Sequence, residues 1–371
     1  MNSVISFFTG AGFLDLGFEH AGFRIDMVNE FSREFIDGYR HSRAKLGSPA
    51  PRYGYHHGSI DEFLEGEALA RLKAVVADAK RDGNKVGFVG GPPCPDFSVA
   101  GKNAGGDGDN GRLTASYFSL IEQVRPDFFV FENVEGLWRT KVHRQFYDAQ
   151  KARAEAAGYV LHDRLVNAIC YGVGQDRSRI FLVGILDGSP HLSFPWETAM
   201  PYTEEVLRLP WPGRDPFVEG GDRPFPDDRG LPEELTVGHW FRRNSVDVHP
   251  NAGKAFNALS NKFKVIPEGD VKRKSFKRIH RWRYSPTAAY GNNEVHLHPW
   301  EARRLSVAEA LAIQSLPAEY ELPESMTLST CFKTIGNGVP YLAARGLAET
   351  VKSHLAAEEA AKGQDFLVAA E

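Results

Sequence analysis

Val86-Gly-Phe-Val-Gly-Gly-Pro-Pro-Cys-Pro-Asp-Phe-Ser98 joins a short apolar run to a proline-stiffened loop that carries one cysteine, Cys94. Val86 to Val89 has the unbroken apolar character of a strand buried on both faces of a parallel sheet. Prolines 92, 93 and 95 fix φ and remove N–H donors, so neither helix nor strand continues through Cys94. In an open α/β sheet the loop at the carboxyl end of a strand is where ligands and chemistry gather. A free cysteine is often just a small buried hydrophobe. A cage of prolines is a poor way to bury a thiol, so Cys94 reads as a reactive nucleophile.

On both sides of this loop the chain alternates strand and helix patterns. A strand at Val4 to Phe8 meets a turn at Gly10 to Gly12 and a short helix ending near Gly22; a second strand, Phe23 to Val28, ends at Asn29-Glu30. A polar stretch precedes a helix over Asp61 to Lys80. Beyond Cys94 come a helix (Ala115 to Gln123), a strand (Phe128 to Phe131), a helix (Val142 to Ala157) and strands at Tyr159 to Cys170 and Ile180 to Leu186. This alternation predicts an α/β fold with a doubly wound parallel sheet. After Phe194 the pattern breaks. Pro195 to Arg229 reads as linker and irregular surface, Ser306 to Gln314 and Tyr341 to Leu355 as helices, and the tail after Leu355 as loosely ordered.

A chain of 371 residues with 42% hydrophobic and 25% charged content is an ordinary globular sequence, long enough for two domains. Cys94, Cys170 and Cys331 are too few and too far apart for a disulfide framework or a metal cluster, and fit a reducing, intracellular setting. No signal peptide and no apolar run of membrane-spanning length is visible. The formal net charge of −4 argues against indiscriminate coating of nucleic acid. Yet Lys272 to Arg283 (KRKSFKRIHRWR) holds seven Lys and Arg residues, and without them the net charge becomes −11. Such a stripe suits a localised polyanion contact; the alternative is a solvated face anchored by Phe276, Ile279 and Trp282.

Gly10-Ala11-Gly12 lets a ligand approach the backbone at a helix start, and Glu30 stands where a carboxylate bonds ribose hydroxyls. Asp15 takes the place of a third glycine, which disfavours a dinucleotide pyrophosphate and points to S-adenosylmethionine; a plain turn and a helix cap are the alternatives. Glu132, after a buried strand, should have a raised pKa and could donate a proton. Arg177 and Arg179 alternate in an extended segment and should project together, either to clamp an anion or to pair with Asp176 or Asp163.

The order of these features resembles the C5-cytosine methyltransferases that act on DNA, of the bacterial restriction–modification type. The resemblance lies in Phe8-Thr-Gly-Ala-Gly-Phe-Leu-Asp-Leu-Gly-Phe-Glu-His-Ala-Gly-Phe23, Pro92-Pro93-Cys94 with Phe97-Ser98, Glu132-Asn133-Val134, Gln175-Asp-Arg-Ser-Arg179, Arg303-Arg304-Leu305-Ser306 through Gln314, and Gly336-Asn-Gly-Val-Pro340. It implies a Rossmann-like, mostly parallel catalytic domain over 1–195, a smaller target-recognition domain with its hinge over 196–320, and a segment 321–371 returning to the first. The last helix should pack on the first.

By that resemblance Cys94 attacks C6 of a flipped cytosine, Glu132 protonates or holds N3, and Arg179 with Arg177 supports the adduct. Phe8, Gly10, Gly12, Glu30, Phe31, Ile60, Pro92, Leu113, Asn337 and Val339 would contact S-adenosyl-L-methionine, with Phe31 stacking on adenine. Double-stranded DNA would meet Ser98, Lys272, Arg273, Lys274, Lys277, Arg278, Arg281, Arg283 and Thr287. The expected setting is the cytoplasm, as a monomer, with a restriction endonuclease of the same site as candidate partner. Phe13, Pro95 and Gly174 depart from the family pattern, and Ser59 replaces a common acid for which Asp61 is a candidate substitute. Gly101 to Arg112 has the composition of a lid. The rival readings are the same chemistry on transfer RNA, a non-catalytic DNA-binding module and an NAD oxidoreductase.

Overall fold

The structure is a computed structural model that describes every residue except Asp82, 94–108, Leu259, Lys274, Ala289, 291–293 and 369–371; side chains are described for the rest apart from 109–110 and 363–368. Cys94, Pro95, Ser98, Lys274 and most of the expected lid therefore lie outside the described residues.

The first half folds as β1 (Ser3–Phe7), α1 (Phe13–His20), β2 (Arg24–Glu30), α2 (Arg33–Leu46), β3 (Tyr55–His57), α3 (Gly66–Arg81), β4 (Val86–Gly90), α4 (Asp109–Val124), β5 (Phe128–Val134), α5 (Glu135–Arg139), α6 (Lys141–Ala156), β6 (Tyr159–Asn167), β7 (Gln175–Asp176) and β8 (Ser178–Leu186). Among the described residues one seven-stranded sheet runs in the order β3-β2-β1-β4-β5-β8-β6. β1 to β5 are parallel and β8 runs antiparallel to both β5 and β6, so the sheet is mostly parallel, as the resemblance implies. Between β6 and β8 the chain makes only a 3-10 turn, Ala168–Tyr171, and the short β7. A parallel partner would need a crossover of a dozen residues or more, usually a helix, so the chain folds straight back.

Apolar side chains fill both faces of the sheet, with Val28, Val89, Val130 and Phe181 on one and Ile5, Phe88, Phe131 and Leu182 on the other. The expected helix over Asp61 to Lys80 is divided: a 3-10 turn at Ile60–Leu64, closed by a Ser59/Glu62 capping box, precedes α3, and Gly66 in the left-handed region (φ 66°) makes the break. α2 lies in the stretch that reads as merely polar. Its termini carry ordinary signals, a Ser32 cap accepting from the Phe35 N–H and a left-handed Gly47, but only a thin apolar stripe faces inward.

The second half contains α7 (Val237–Arg243), β9 (Ser285–Pro286), α8 (Val307–Ile313), α9 (Leu328–Asn337) and α10 (Tyr341–Val368), joined by long irregular segments. β9 pairs in parallel with β7, Gln175 opposite Ser285, and the Thr287 hydroxyl donates to the Asp176 carbonyl at 2.7 Å. A shared core runs from Phe13 and Leu16 of α1 through Trp240, Ile279 and Leu311 to Phe332, so this half is packed onto the sheet and not merely tethered to it. α10 lies against α1, where a Cβ on Gly17 would fall 2.5 Å from the Ala344 and Arg345 backbone; only glycine permits that approach. α10 also continues past Leu355, correcting the loose tail. The Glu358 carboxylate accepts from the Ser189 N–H at 3.0 and 3.1 Å, fastening the extra turns to the sheet domain.

Candidate active site

The carboxyl ends of β1, β2, β4 and β5 open along one edge of the sheet, at the point where strand order reverses between β1 and β4. After β1, Phe8 (φ 54°), Gly10 (φ 55°) and Gly12 (φ 84°) all take left-handed conformations, which bends the chain sharply into α1. The Glu30 carboxylate braces this turn: one oxygen accepts the Gly10 N–H and the other the Ser32 N–H, each at 2.8 Å. Burial holds the Glu30 carboxyl above its usual range, against the pull of these N–H donors. Each oxygen keeps a lone pair for a further donor, as ribose hydroxyls would supply. Next to it the Phe31 ring is 75% exposed, a large apolar face without a cover. The arrangement fits a nucleoside.

Other expected cofactor contacts are more mixed. Pro92 is buried at the end of β4, Leu113 and buried Ile60 belong to the core on the β4 side of the sheet, Asn337 is exposed at the end of α9, and Val339 is buried in the opposite core. Gly12 has a different explanation from ligand approach. A Cβ there would sit 2.4 Å from the Tyr39 ring, so packing against α2 alone demands glycine. Phe13 is accommodated by Gly338, where a Cβ would come 2.2 Å from its ring. Asp61 is already committed to Ser116, Ser59 and Arg112, which leaves it a poor substitute for the missing adenine acid.

Glu132 lies near the carboxyl end of β5, beside Gly91. It is buried, and its Oε1 pairs with Arg179 Nε of β8 at 3.0 Å. A Cβ on Gly91 would reach 2.7 Å from Glu132 Oε2, so the second glycine of the Gly-Gly-Pro-Pro run makes room for this carboxylate. The neighbouring Asn133 donates to the Pro92 carbonyl at 3.3 Å and fixes the loop's departure. Burial raises the Glu132 pKa, while the Arg179 and then the Arg177 guanidinium oppose the rise. A carboxyl so placed can hold a proton or release one.

Arg177 departs from expectation. β7 and β8 are separate strands that break at this residue, so Arg177 and Arg179 do not work as a matched pair. Arg177 is buried and donates to the carbonyls of Ala288 (3.2 Å), Gly336 (2.7 Å) and Gly338 (3.1 Å). It ties the sheet to Ala288 and to the Gly336–Gly338 stretch before α10, and contributes only its charge to Glu132. Replacement by Met strands those carbonyls and costs about 3 kcal/mol of stability or more, read as a lowered urea midpoint. A midpoint unchanged in Arg177→Met would refute the scaffold role.

Among the described residues the free thiols are Cys170 and Cys331, both buried. Burial pushes each to about 11, far from a thiolate at neutral pH. The chain's remaining cysteine is Cys94.

Residues 2–353 match the family described as C-5 cytosine-specific DNA methylase. The chain belongs to this family. It is 55% identical over 366 residues to the type II methyltransferase M.NmeDI of Neisseria meningitidis serogroup C, covering 95% of this chain and 84% of that protein. It is 28% identical over 369 residues to M.FnuDI of Fusobacterium nucleatum, covering 97% and 96%. Its fold is similar to the S. pombe Dnmt2 methyltransferase, with a TM-score of 0.59 at 10% identity over 96% and 98% of the two chains. The protein is a DNA (cytosine-5) methyltransferase with a Rossmann-like sheet.

The methylase's basic stripe is not one surface. Arg278 is fully buried and donates to the carbonyls of Phe263, Ile266, His298 and Glu301. Arg281 is buried in a bidentate pair with Glu268 at 2.9 and 3.1 Å. Both guanidiniums are buried and turned to acceptors inside the protein, away from a phosphate on the surface, which corrects their assignment as DNA contacts. Among its described residues the segment forms no helix; with so little regular structure, guanidiniums are used to satisfy loop carbonyls. Lys272 and Arg273 are exposed, the latter pairing with Asp270 at 2.6 Å, and Lys277 is half-buried. Arg283 stacks on Tyr284 and donates to its hydroxyl at 3.0 Å.

Arg43, Tyr39 and Tyr320 carry weight that sequence reading missed. All are buried around the glycine turn, and no spacing signal links α2 and residue 320 to that turn.

Proposed function

We propose that this methylase transfers a methyl group from S-adenosyl-L-methionine to C5 of a cytosine turned out of double-stranded DNA, through a transient bond between Cys94 Sγ and C6. The observation that carries the reading is the Glu132–Arg179 pair, buried beside Gly91 just upstream of Cys94, with a raised carboxyl pKa. Thiolate addition at C6 pushes the ring's π electrons toward C5 and N3, and a proton from Glu132 onto N3 neutralises the developing charge. Arg179 returns Glu132 to its ion pair once that proton is given up and supports the anionic adduct. When bound, S-adenosylmethionine supplies the electrophilic methyl that C5 takes up. Loss of the C5 proton to a base then expels the Cys94 thiolate and restores the aromatic ring. Glu30, Phe31 and the Gly10 turn hold the nucleoside end of the cofactor, with Phe8, Pro92, Ile60, Leu113, Asn337 and Val339 completing its surroundings.

The target base must leave the stack for a loop thiol to reach C6. DNA would lie against the recognition half, with Lys272, Arg273, Lys274, Lys277 and Arg283 meeting phosphates and Ser98 and Thr287 bracing the target strand. In this reading residues 1–195 carry the chemistry, 196–320 the recognition and 321–371 the return to the sheet. The protein acts as a monomer in the bacterial cytoplasm beside a restriction endonuclease of the same site, as the type II label of its relatives suggests. Among the described residues no helix is long and apolar enough to cross a membrane.

Bisulfite sequencing of DNA from cells expressing the protein tests the reading. Protection of one cytosine within a single short site is the expected result. A genome that converts fully sinks it.

A further inference from the structure

The glycine turn is gripped from behind by two buried side chains outside every motif quoted above. Arg43 of α2 is 2% exposed; its Nη2 donates to the Gly12 carbonyl at 2.7 Å while its Nε pairs with Glu19 at 2.6 Å. Its guanidinium lies 4.5 Å above the Tyr39 ring, the same ring that forbids a side chain at Gly12. Tyr320, with no exposed surface, arrives from the connection between α8 and α9, and its hydroxyl donates to the Ala11 carbonyl at 2.7 Å. Phe13, the next residue of the turn, meets the Tyr320 ring edge-on at 5.2 Å. Two consecutive carbonyls of the turn are thus drawn into the protein.

The connection carrying Tyr320 is itself pinned by the recognition half. Asn244 donates to the Leu316 carbonyl at 2.9 Å, and His249 Nε2 lies 3.1 Å from the Tyr320 carbonyl. Asn251 makes a two-way bond with Leu322, its Nδ2 donating to the carbonyl and its Oδ1 accepting from the N–H, both at 2.8 Å. A hydrogen-bonded line therefore runs from residues 244–251, through the backbone at 316–322, to the carbonyl of Ala11.

We propose that Arg43 and Tyr320 are positioning residues for the cofactor turn, and that Tyr320 ties the turn to the recognition half. Because the peptide is trans and planar, holding the Gly12 carbonyl toward Arg43 turns the Phe13 N–H, at the start of α1, away from it. That fixes the donors and the positive helix end that an anionic group of the cofactor would meet. The Glu30 bond to Gly10 holds the other side of the turn. Left-handed Phe8 puts strain into this turn, and two flexible glycines at 10 and 12 leave it easily deformed, so it keeps its shape only if its surroundings over-determine it. This inference rests on the S-adenosylmethionine reading above.

Calorimetric titration of the full chain with S-adenosylhomocysteine tests it. Tyr320→Phe keeps the ring and removes only the hydroxyl, and raises the Kd roughly tenfold, the size expected when one buried carbonyl loses its donor. Asn251→Ala, at the far end of the tether, raises the same Kd about threefold. In Tyr320→Phe, kcat at saturating cofactor and the Kd for DNA stay within about twofold of wild type, a split that a general loosening of the fold does not produce. A folded Tyr320→Phe that binds the cofactor product as wild type does overturns the clamp, as does a parallel fall of cofactor affinity, DNA affinity and kcat. Wild-type protein that takes up no S-adenosylhomocysteine overturns the cofactor reading, and the purpose of the clamp with it.

Discussion

Cys94→Ser is expected to cut methyl transfer by about 10⁴-fold or more while leaving site-specific DNA binding within a few-fold of wild type. A serine hydroxyl at neutral pH is a far weaker nucleophile than a thiol with an accessible thiolate, and cytosine C6 accepts no attack from a neutral alcohol on the timescale of turnover. The other two thiols cannot take over. Cys170 packs with Trp211, Leu235 and Tyr284, Cys331 lies in the core with Phe332 and Ile335, and both are held near 11 by burial. The decisive measurement pairs single-turnover methylation with capture of a 5-fluorocytosine duplex. Wild type should form a complex that survives denaturing electrophoresis and the variant none. Turnover in Cys94→Ser within about 100-fold of wild type would remove the nucleophile assignment.

Glu132→Gln should lower kcat by roughly 10² to 10⁴, the range for a positioned acid, with little change in the Kd for S-adenosylhomocysteine. Gln fits the same space beside Gly91 but carries no transferable proton, and it leaves Arg179 facing an amide in a buried site. The sign of the pH dependence follows from the shift. Burial raises the Glu132 pKa, so the protonated form persists to higher pH than for an exposed glutamate, and activity falls as pH climbs through the raised value. In Arg179→Ala the strongest force opposing that rise is gone. The alkaline limb of its kcat profile should therefore move to higher pH even as kcat drops. A limb unmoved in Arg179→Ala, together with a Glu132→Gln enzyme within tenfold of wild type, would strip Glu132 of its acid role.

The candidate site at the sheet edge was legible because its signals are local. Pro92-Pro93-Cys94, Glu132 and Glu30 each follow an apolar strand, and the carboxyl end of a buried strand in an α/β sheet has few places to go. The six longer strands could be read to within a few residues for the same reason, whereas the short β3, β7 and β9 could not. Helix α2 could not, since its polar composition hides a narrow buried stripe whose partners, Tyr39 against Gly12 and Gly38 against Met326, come from far along the chain.

Charge misled where burial decides its use. Seven cations between Lys272 and Arg283 look like a surface, yet Arg278 and Arg281 face inward because irregular loops leave carbonyls and carboxylates that need donors. Arg177 and Arg179 looked like one pair because extended chain alternates, but the break between β7 and β8 gave one to the scaffold and the other to Glu132.

The order of residues by itself determined the α/β class and the family and named the candidate catalytic residues, because strand burial, proline geometry and motif succession are properties of neighbours in the chain. Only tertiary structure decided that β8 runs backwards, which arginines turn inward and what grips the turn after β1. Those outcomes depend on which distant donor reaches which buried carbonyl, and a buried polar group is satisfied by whatever the fold brings within 3 Å, not by what stands beside it in sequence.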